Sequence, residues 1–292
     1  MIYTILILGS KGQLGRCLID QAKQKKINHR FITKDIDELD ITKKEELERF
    51  FSEGSIDIII NCAAYTAVDK AEEEPDLAFL INETATSYLA EVALRHHCYL
   101  FHISTDYVFD GEATSPYKPD DITHPQSVYG KSKRAGEEAM IAANCDGAII
   151  RTSWLYSQYG HNFVKTMLRI GRENTELRVV NDQYGSPTNA NDLAAAILQM
   201  VELGNRNRGT EIYHFSNRGI ISWYDFAKEI ITLAGYETRV TPVSTAEYPT
   251  KAKRPCYSAF DLRKIELFLG YSIPSWDESL KKYFPLVDYI EK

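Results

Sequence analysis

Tyr129 and Lys133 stand four residues apart in the stretch Tyr129-Gly-Lys-Ser-Lys133. On a helix that spacing puts a phenol and an ammonium on one face. A neighbouring positive charge lowers a phenol from its ordinary pKa of about 10. A tyrosine tuned in this way exchanges a proton with a carbonyl or alcohol near neutral pH. Thr105-Asp106 follows the apolar run His102-Ile-Ser104 and adds a hydroxyl able to hold the same substrate oxygen. The spacing alone is not diagnostic, because Tyr224-Asp-Phe-Ala-Lys228 repeats it. There Trp223, Phe226, Ala227 and Ile230 mark an ordinary amphipathic helix. Ligands of open α/β sheets bind beyond the carboxyl ends of strands, and Thr105 closes such a strand. Met200 stands at the matching place before Tyr224.

The second chemical feature is Leu6-Ile-Leu-Gly9-Ser-Lys-Gly12-Gln-Leu-Gly15. The glycines follow a strand-like run and open a helical one. A tight turn there needs residues without Cβ, and a pyrophosphate must approach backbone N–H groups at a helix N-terminus. Gly15 allows the helix to lie close to the sheet. The spacing differs from G-x-G-x-x-G, so the loop on its own also fits a plain strand-to-helix turn. At the end of the second strand an acid favours NADH and a base favours NADPH. Thr33-Lys34-Asp35 offers both signs, so the cofactor is NADPH or NADH.

The elements that must position these groups alternate. Tyr3–Leu8, Arg30–Thr33, Ile56–Ile60, Tyr99–Ser104 and Ala148–Arg151 read as strands. Gln13–Lys23, Lys43–Phe51 with Thr42 as N-cap, Ala78–Arg95 and the stretch from Tyr129 read as helices. Strands apolar on both faces and separated by helices predict an α/β fold, a doubly wound parallel (Rossmann) sheet. After Thr152, aromatic and amide-rich loops suit a polar ligand: Trp154-Leu-Tyr156, Asn181 to Thr188, and Lys253 to Ser258. Asn191–Leu203 and Trp223–Ala234 read as helices and Glu211–Phe215 as a strand. The expected division is a dinucleotide-binding domain over 1–152, with a segment returning near 190–215. A smaller C-terminal α/β substrate-binding domain occupies most of 153–292.

Composition narrows the partners. The chain has 292 residues, 44% hydrophobic and 26% charged, which is ordinary for a globular protein. Its net charge of -7 argues against a nucleic-acid partner. Cys17, Cys62, Cys98, Cys145 and Cys256 are widely spaced and odd in number, with no C-x-x-C pair. Neither a zinc site nor a disulfide framework is expected. Met1–Leu8 runs straight into the glycines and reads as a strand, and no apolar run reaches the roughly 18–20 residues of a membrane span. The expected setting is a reducing cytoplasm with no membrane partner.

Longer stretches carry a more specific likeness. Gly9-x-x-Gly12-x-x-Gly15, Asn61-Cys-Ala-Ala64, Ser104-Thr105 and Tyr129-x-x-x-Lys133 resemble the extended short-chain dehydrogenase/reductases. Ala64 to Glu72, Ser104 to Gly111, Arg151 to Trp154, Asn162-Phe163, Asn181 to Thr188 and Arg254-Pro255 resemble the dTDP-4-dehydrorhamnose reductases among them. The resemblance implies reduction of the C4 keto group of a dTDP-4-keto-6-deoxy sugar by NADPH or NADH. It implies that Gly12, Gln13 and Leu14 meet the pyrophosphate, that Asp40 and Ile41 lie by the adenine, and that Ala63, Ala64 and Tyr65 line the dinucleotide cleft. Tyr129 would be the proton donor, Lys133 would hold the nicotinamide ribose, Thr105 and Asp106 would touch the sugar, and Trp154 would lie against it. An epimerase or reductase on another nucleotide keto-sugar, or a non-catalytic subunit of the same fold, would share the scaffold.

A nucleoside diphosphate needs cations, and Arg254 or Lys253 could supply them. Asn162, Asn181 and Gln183 are candidates for amide contacts to the sugar or base. Some members of this family bridge two subunits with a cation held by glutamates after the glycine loop and in the helix after the Pro-Thr turn. Here those places read Arg16-Cys17 and Asn191-Asp192. The expectation is no metal, and a monomer or metal-free homodimer.

Overall fold

The computed structural model describes residues 2–204 and 208–291. In chain order the main elements are β1 (Thr4–Leu8), α1 (Gln13–Gln24), β2 (Arg30–Lys34), α2 (Lys44–Ser52), β3 (Ile58–Asn61), α3 (Ala85–His96), β4 (Tyr99–Thr105), α4 (Val128–Ala142), β5 (Gly147–Thr152), α5 (Phe163–Glu173), α6 (Ala190–Leu203), β6 (Thr210–Phe215), α7 (Trp223–Leu233), α8 (Arg263–Leu269) and α9 (Trp276–Glu291). The six β-strands form one sheet in the order β6-β5-β4-β3-β1-β2, with every neighbouring pair parallel.

Both faces of the sheet are covered, as the uninterrupted apolar strands require. Successive strand residues point to opposite faces. Ile5 and Ile7 of β1 therefore join Cys17 and Leu18 of α1 and Leu193 and Ile197 of α6 on one side. Leu6 and Leu8 join Leu47 and Phe51 of α2 and Leu89 and Val92 of α3 on the other. A third cluster, with Tyr156, Leu168, Leu177, Phe226, Ile230 and Leu280, lies outside the sheet. It is closed by α5, α7, α9 and a parallel pair of strands, Glu176–Val180 with Arg239–Val243. No helix among the described residues is long and apolar enough to cross a membrane.

Two local expectations need correction. Thr42 does not cap α2: the N-cap position is Lys43, with no side-chain cap bond. Thr42 instead donates from both its backbone N and its hydroxyl to Asp40 Oδ1, at 3.0 and 2.6 Å. An aspartate accepting from the backbone two residues on makes a local turn that competes with the cap. The single helix expected over Ala78–Arg95 is a helix Pro75–Phe79, a wide π turn Leu80–Thr84 and then α3. The turn swings Asn82 inward, where it is 1% exposed. Its amide must find partners there. It accepts from Tyr65 N and donates to Tyr65 O and Ser132 Oγ.

Candidate active site

The sheet order reverses between β1 and β3, so the loops leaving these strands diverge and open a cleft. Gly9 lies there at φ 68°, and a Cβ on it would stand 2.7 Å from Ala63 N. A Cβ on Gly15 would stand 2.4 Å from Gly9 O. Both positions exclude any side chain, which brings the backbone of the loop within reach of a ligand. Gly12 is the N-cap of α1 and no side chain caps the helix. Its first amide groups are thus left for an anion, and the helix dipole favours negative charge at that end. A cavity of about 440 Å³ runs from this loop past Asp40, Ile41, Ala63 and Ala64. These features fit the diphosphate and adenine half of a dinucleotide. At its outer end Asp35 Oδ2 accepts from Lys11 N at 2.8 Å, and Lys34 lines the same cavity.

A second cavity of about 360 Å³ shares Cys62 and Ala64 with the first. Gln13, Leu14, Thr105, Asp106, Tyr129, Lys133, Trp154 and Gln183 all line it. Tyr129 is set by the start of α4. Ser127 Oγ caps that helix by accepting from Gly130 N at 3.1 Å, and Val128 N donates to Glu72 at 2.8 Å. A Cβ on Gly130 would stand 2.2 Å from Tyr107 O, so only glycine lets the helix start so close to the β4 turn. The Tyr107 ring meets Tyr129 edge-on at 5.4 Å.

Lys133 is 2% exposed and donates to Ile103 O at 2.6 Å. Its Nζ lies 3.4 Å from His102 Nε2, and His102 Nδ1 lies 3.1 Å from Asn61 Nδ2. Asn61 Oδ1 in turn accepts from Ala63 N at 3.1 Å. A buried polar line therefore joins the lysine to the wall of the dinucleotide cleft. Burial depresses Lys133 to about 8 against the opposing charge of Glu137, and burial holds His102 well below its usual range. Both act by making the charged form costly.

The balance at Tyr129 differs from the sequence expectation. Burial raises the phenol above its ordinary value, and the contact that opposes burial is a hydrogen bond with Thr105 rather than the Lys133 charge. The lysine spends its strongest bond on Ile103 O. Asp106 is 3% exposed and burial lifts it to about 6, opposed by hydrogen bonding to Thr105 and Ser258.

The outer wall comes from the second half of the chain. Trp154 adopts φ 49° and stacks on Trp223 at 3.6 Å with the rings 11° apart. Beyond them a cavity of about 460 Å³ shares Tyr107, Gln183 and Trp223 with the reaction chamber. Phe163, Met167, Leu177 and Tyr248 give it apolar walls, and Arg254 brings a guanidinium. Arg254 donates to Tyr107 Oη at 3.2 Å and pairs with Asp69. Lys253 points elsewhere, to Glu112 at 3.1 Å.

Three residues singled out from sequence are engaged differently. Tyr65 turns its hydroxyl to Glu74 at 2.9 Å and lines neither inner cavity with its ring. Its two backbone hydrogen bonds to Asn82 fix that direction. Asn162 caps α5 by accepting from Lys165 N and turns its NH₂ to Gln13 Oε1, Ser157 O and Tyr159 O. With its amide engaged on both ends, it serves the site through other residues. Gln13 lines the chamber but its carbonyl is held by Ser157 and Asn162. Sequence reading missed Thr66, Val68, His161, Trp223 and Phe163 as lining residues. Trp223 lies on a stripe that reads as an ordinary amphipathic helix, and Phe163 stands only in a stretch of family likeness.

The family model described as RmlD substrate binding domain matches residues 3–288. A dTDP-4-dehydrorhamnose reductase of Aggregatibacter actinomycetemcomitans is 42% identical over 287 residues, covering 95% of this chain and 97% of its own. The crystal structure of a dTDP-4-dehydrorhamnose reductase from Clostridium acetobutylicum superposes with a TM-score of 0.92 at 46% identity, covering 98% of this chain and 99% of its own. Another from Bacillus anthracis, solved in complex with NADP, gives a TM-score of 0.91 at 40% identity, with 98% and 99% covered. The glycine cradle, the buried Tyr129–Lys133 pair and likeness along the whole chain agree. The chain belongs to the dTDP-4-dehydrorhamnose reductase family, NAD(P)H-dependent oxidoreductases with a Rossmann-like α/β fold.

Proposed function

We propose that this chain reduces the C4 keto group of dTDP-4-dehydro-L-rhamnose to give dTDP-L-rhamnose, with Tyr129 as the proton donor. The carrying observation is that Tyr129, Thr105 and Lys133 line one chamber, which shares the wall residues Cys62 and Ala64 with the cavity at the glycine cradle. The dinucleotide bound in that cradle supplies the hydride. Thr105 and Tyr129 hold the keto oxygen between a hydroxyl and a phenol, and the phenol proton goes to that oxygen as negative charge develops on it. Lys133 holds the nicotinamide ribose, and its ammonium, once free to turn from Ile103 O, stabilises the phenolate that remains. Trp154 covers the sugar. The 460 Å³ cavity with Arg254 takes the nucleoside diphosphate, its apolar walls for the base and its guanidinium for phosphate.

Asn191 is turned inward to Gln158 and Asn189, and Asp192 accepts from Asn217 at 2.8 Å and from Ser279. Arg16 lies over the Tyr159 ring at 4.7 Å. These engagements support a monomer or homodimer with no metal bridge. A mass measurement in solution that falls on adding a chelator would contradict this.

The activity is tested by following NADPH and NADH absorbance on adding dTDP-4-keto-6-deoxy-L-mannose. Oxidation with appearance of dTDP-L-rhamnose is expected. No oxidation with this sugar, but turnover of a different nucleotide keto-sugar, would move the specificity.

A further inference from the structure

We propose that His102 is a positioning residue that favours the neutral amine of Lys133 in the free enzyme, so that binding of the dinucleotide is coupled to uptake of a proton. The proposal rests on the reading of Lys133 as the holder of the nicotinamide ribose. Its ground is the direction of the hydrogen bonds along one buried line, in which Asn61 and His102 are each 1% exposed and Lys133 is 2% exposed. Ala63 N, on the wall of the dinucleotide cleft, can only donate, so the Asn61 atom that meets it at 3.1 Å is the carbonyl Oδ1. The other end of that amide, Nδ2, can only donate, and it faces His102 Nδ1 at 3.1 Å. His102 Nδ1 is therefore an acceptor and carries no proton. The ring is the Nε2–H tautomer, because a doubly protonated ring would set N–H against N–H.

His102 Nε2 faces Lys133 Nζ at 3.4 Å. An ammonium has three donors and no lone pair, so a charged Lys133 meets this N–H as donor to donor. The neutral amine receives it and still donates to Ile103 O at 2.6 Å. Only with the amine is every group on the line satisfied. Ribose hydroxyls offer Lys133 oxygen acceptors in place of the His102 N–H. As Lys133 turns to them, its lone pair takes a proton from solvent and the amine becomes the ammonium. The positive charge beside the Tyr129 phenol is thus greatest with the dinucleotide in place.

The other groups about the lysine are Tyr129, one turn before it on α4, and Glu137, one turn after it. The Glu137 charge favours the ammonium, but Arg151 holds that carboxylate from Nε and Nη2 at 2.9 and 2.7 Å, and Arg134 at 3.0 Å. The Cys62 thiol, just after β3, is kept protonated by burial, and Asp106 and His161 line the same chamber. Burial acts on Lys133 in the same direction as His102 and lowers it to about 8.

Two measurements on the full chain test this. Nitrogen NMR of the free enzyme, isotope-labelled at histidine, should give His102 the Nε2–H pattern, unchanged from about pH 6 to about pH 9. Calorimetric titration with NADPH in two buffers of different protonation heat should show uptake of about half a proton or more per site at about pH 8.5, falling to about a tenth at about pH 7. Asn61→Asp keeps the shape and accepts at both ends of the side chain. It should turn His102 to the Nδ1–H tautomer, make Nε2 an acceptor for the ammonium, and remove most of the uptake. An Nδ1–H or doubly protonated His102 in the wild type overturns the proposal. So does a wild type that takes up no proton, or uptake that Asn61→Asp leaves intact. If that variant does not fold, the wild-type tautomer decides. Lys133→Met separates the two readings. Wild-type NADPH affinity in Lys133→Met means that the ribose reading itself is wrong. Weakened affinity there, together with an Nδ1–H tautomer in the wild type, means that only the role of His102 falls.

Discussion

Gln13 Oε1 accepts a 2.9 Å hydrogen bond from Asn162 Nδ2, across 149 residues of sequence. The same oxygen accepts from Ser157 Oγ at 3.1 Å. One end of this link is the first residue of α1, directly after the glycine loop, and the other caps α5. Gly160, at φ 63°, lies so close that a Cβ would stand 2.9 Å from Gln13 Cγ. Gln13 therefore ties the glycine loop to the loop that starts α5.

Removing that tie should loosen the chamber without unfolding the chain. Gln13→Ala is expected to lower kcat/KM by about tenfold through a higher sugar KM, at a cost of about 1 kcal/mol in stability. Steady-state kinetics against both substrates checks it. An unchanged sugar KM would mean that Gln13 holds nothing of consequence.

Gly185 faces the back of the indole that stacks on Trp223. A Cβ there would stand 2.6 Å from Ser258 Oγ, which can rotate aside, and 2.8 Å from Trp154 Cε2, which belongs to a stacked ring. Trp154 already holds a left-handed backbone at φ 49°, so the ring must move rather than the chain. Gly185→Ala should displace the indole toward the chamber and weaken sugar-nucleotide binding by about tenfold, leaving NADPH affinity alone. Titration calorimetry with each ligand separates these effects. Equal losses for both ligands would show a general disturbance instead.

Lys133 is buried with a native pKa near 8 against its ordinary 10.5. Below pH 8 both folded and unfolded chains carry the charge, and the folded one bears its desolvation. Between 8 and 10.5 the unfolded chain binds the proton that the folded chain has released, so stability rises with pH there. Lys133→Met should therefore be inactive yet more stable at pH 7, by up to about 3 kcal/mol, with the advantage shrinking by pH 10. Urea denaturation at the two pH values tests the sign. A variant less stable at pH 7 would show that the bond to Ile103 O outweighs burial.

Arg254 contributes a guanidinium to the outer cavity while paired with Asp69. Arg254→Ala should raise the KM for the dTDP-sugar by about 10- to 100-fold, while the KM for NADPH stays within about twofold. Arg254→Lys should recover little, since a lysine cannot make the bidentate fork. Full recovery by lysine would reduce the role of Arg254 to simple charge.

The sheet was legible because its strands announce themselves: Ile58–Ile60 has no polar residue, and Gly9 and Gly15 stand where a Cβ would strike backbone. That Tyr129, Lys133 and Thr105 would share one chamber was legible for the same local reason, a helical Tyr129–Lys133 spacing set against a strand ending in Thr105. What was hidden depends on partners far away in the chain. Tyr65 turns from the cleft because Asn82, in a π turn that no periodicity reveals, takes its backbone. Asn162 looks like a sugar ligand until Gln13 is seen to hold it. The strands Glu176–Val180 and Arg239–Val243 escape notice because charges alternate along one and Pro242 interrupts the other. The outer cavity escapes because its apolar walls, Phe163, Met167 and Leu177, also pack in the third cluster and carry no polar mark of a site.

The central claim is that the Tyr129 phenol gives its proton to the reduced carbonyl. The most direct measurement is single-turnover reduction by Tyr129→Phe, preloaded with NADPH, against the wild type. The account expects a rate lower by about 10²- to 10⁴-fold with unchanged NADPH affinity. A variant that keeps most of the wild-type rate would contradict it.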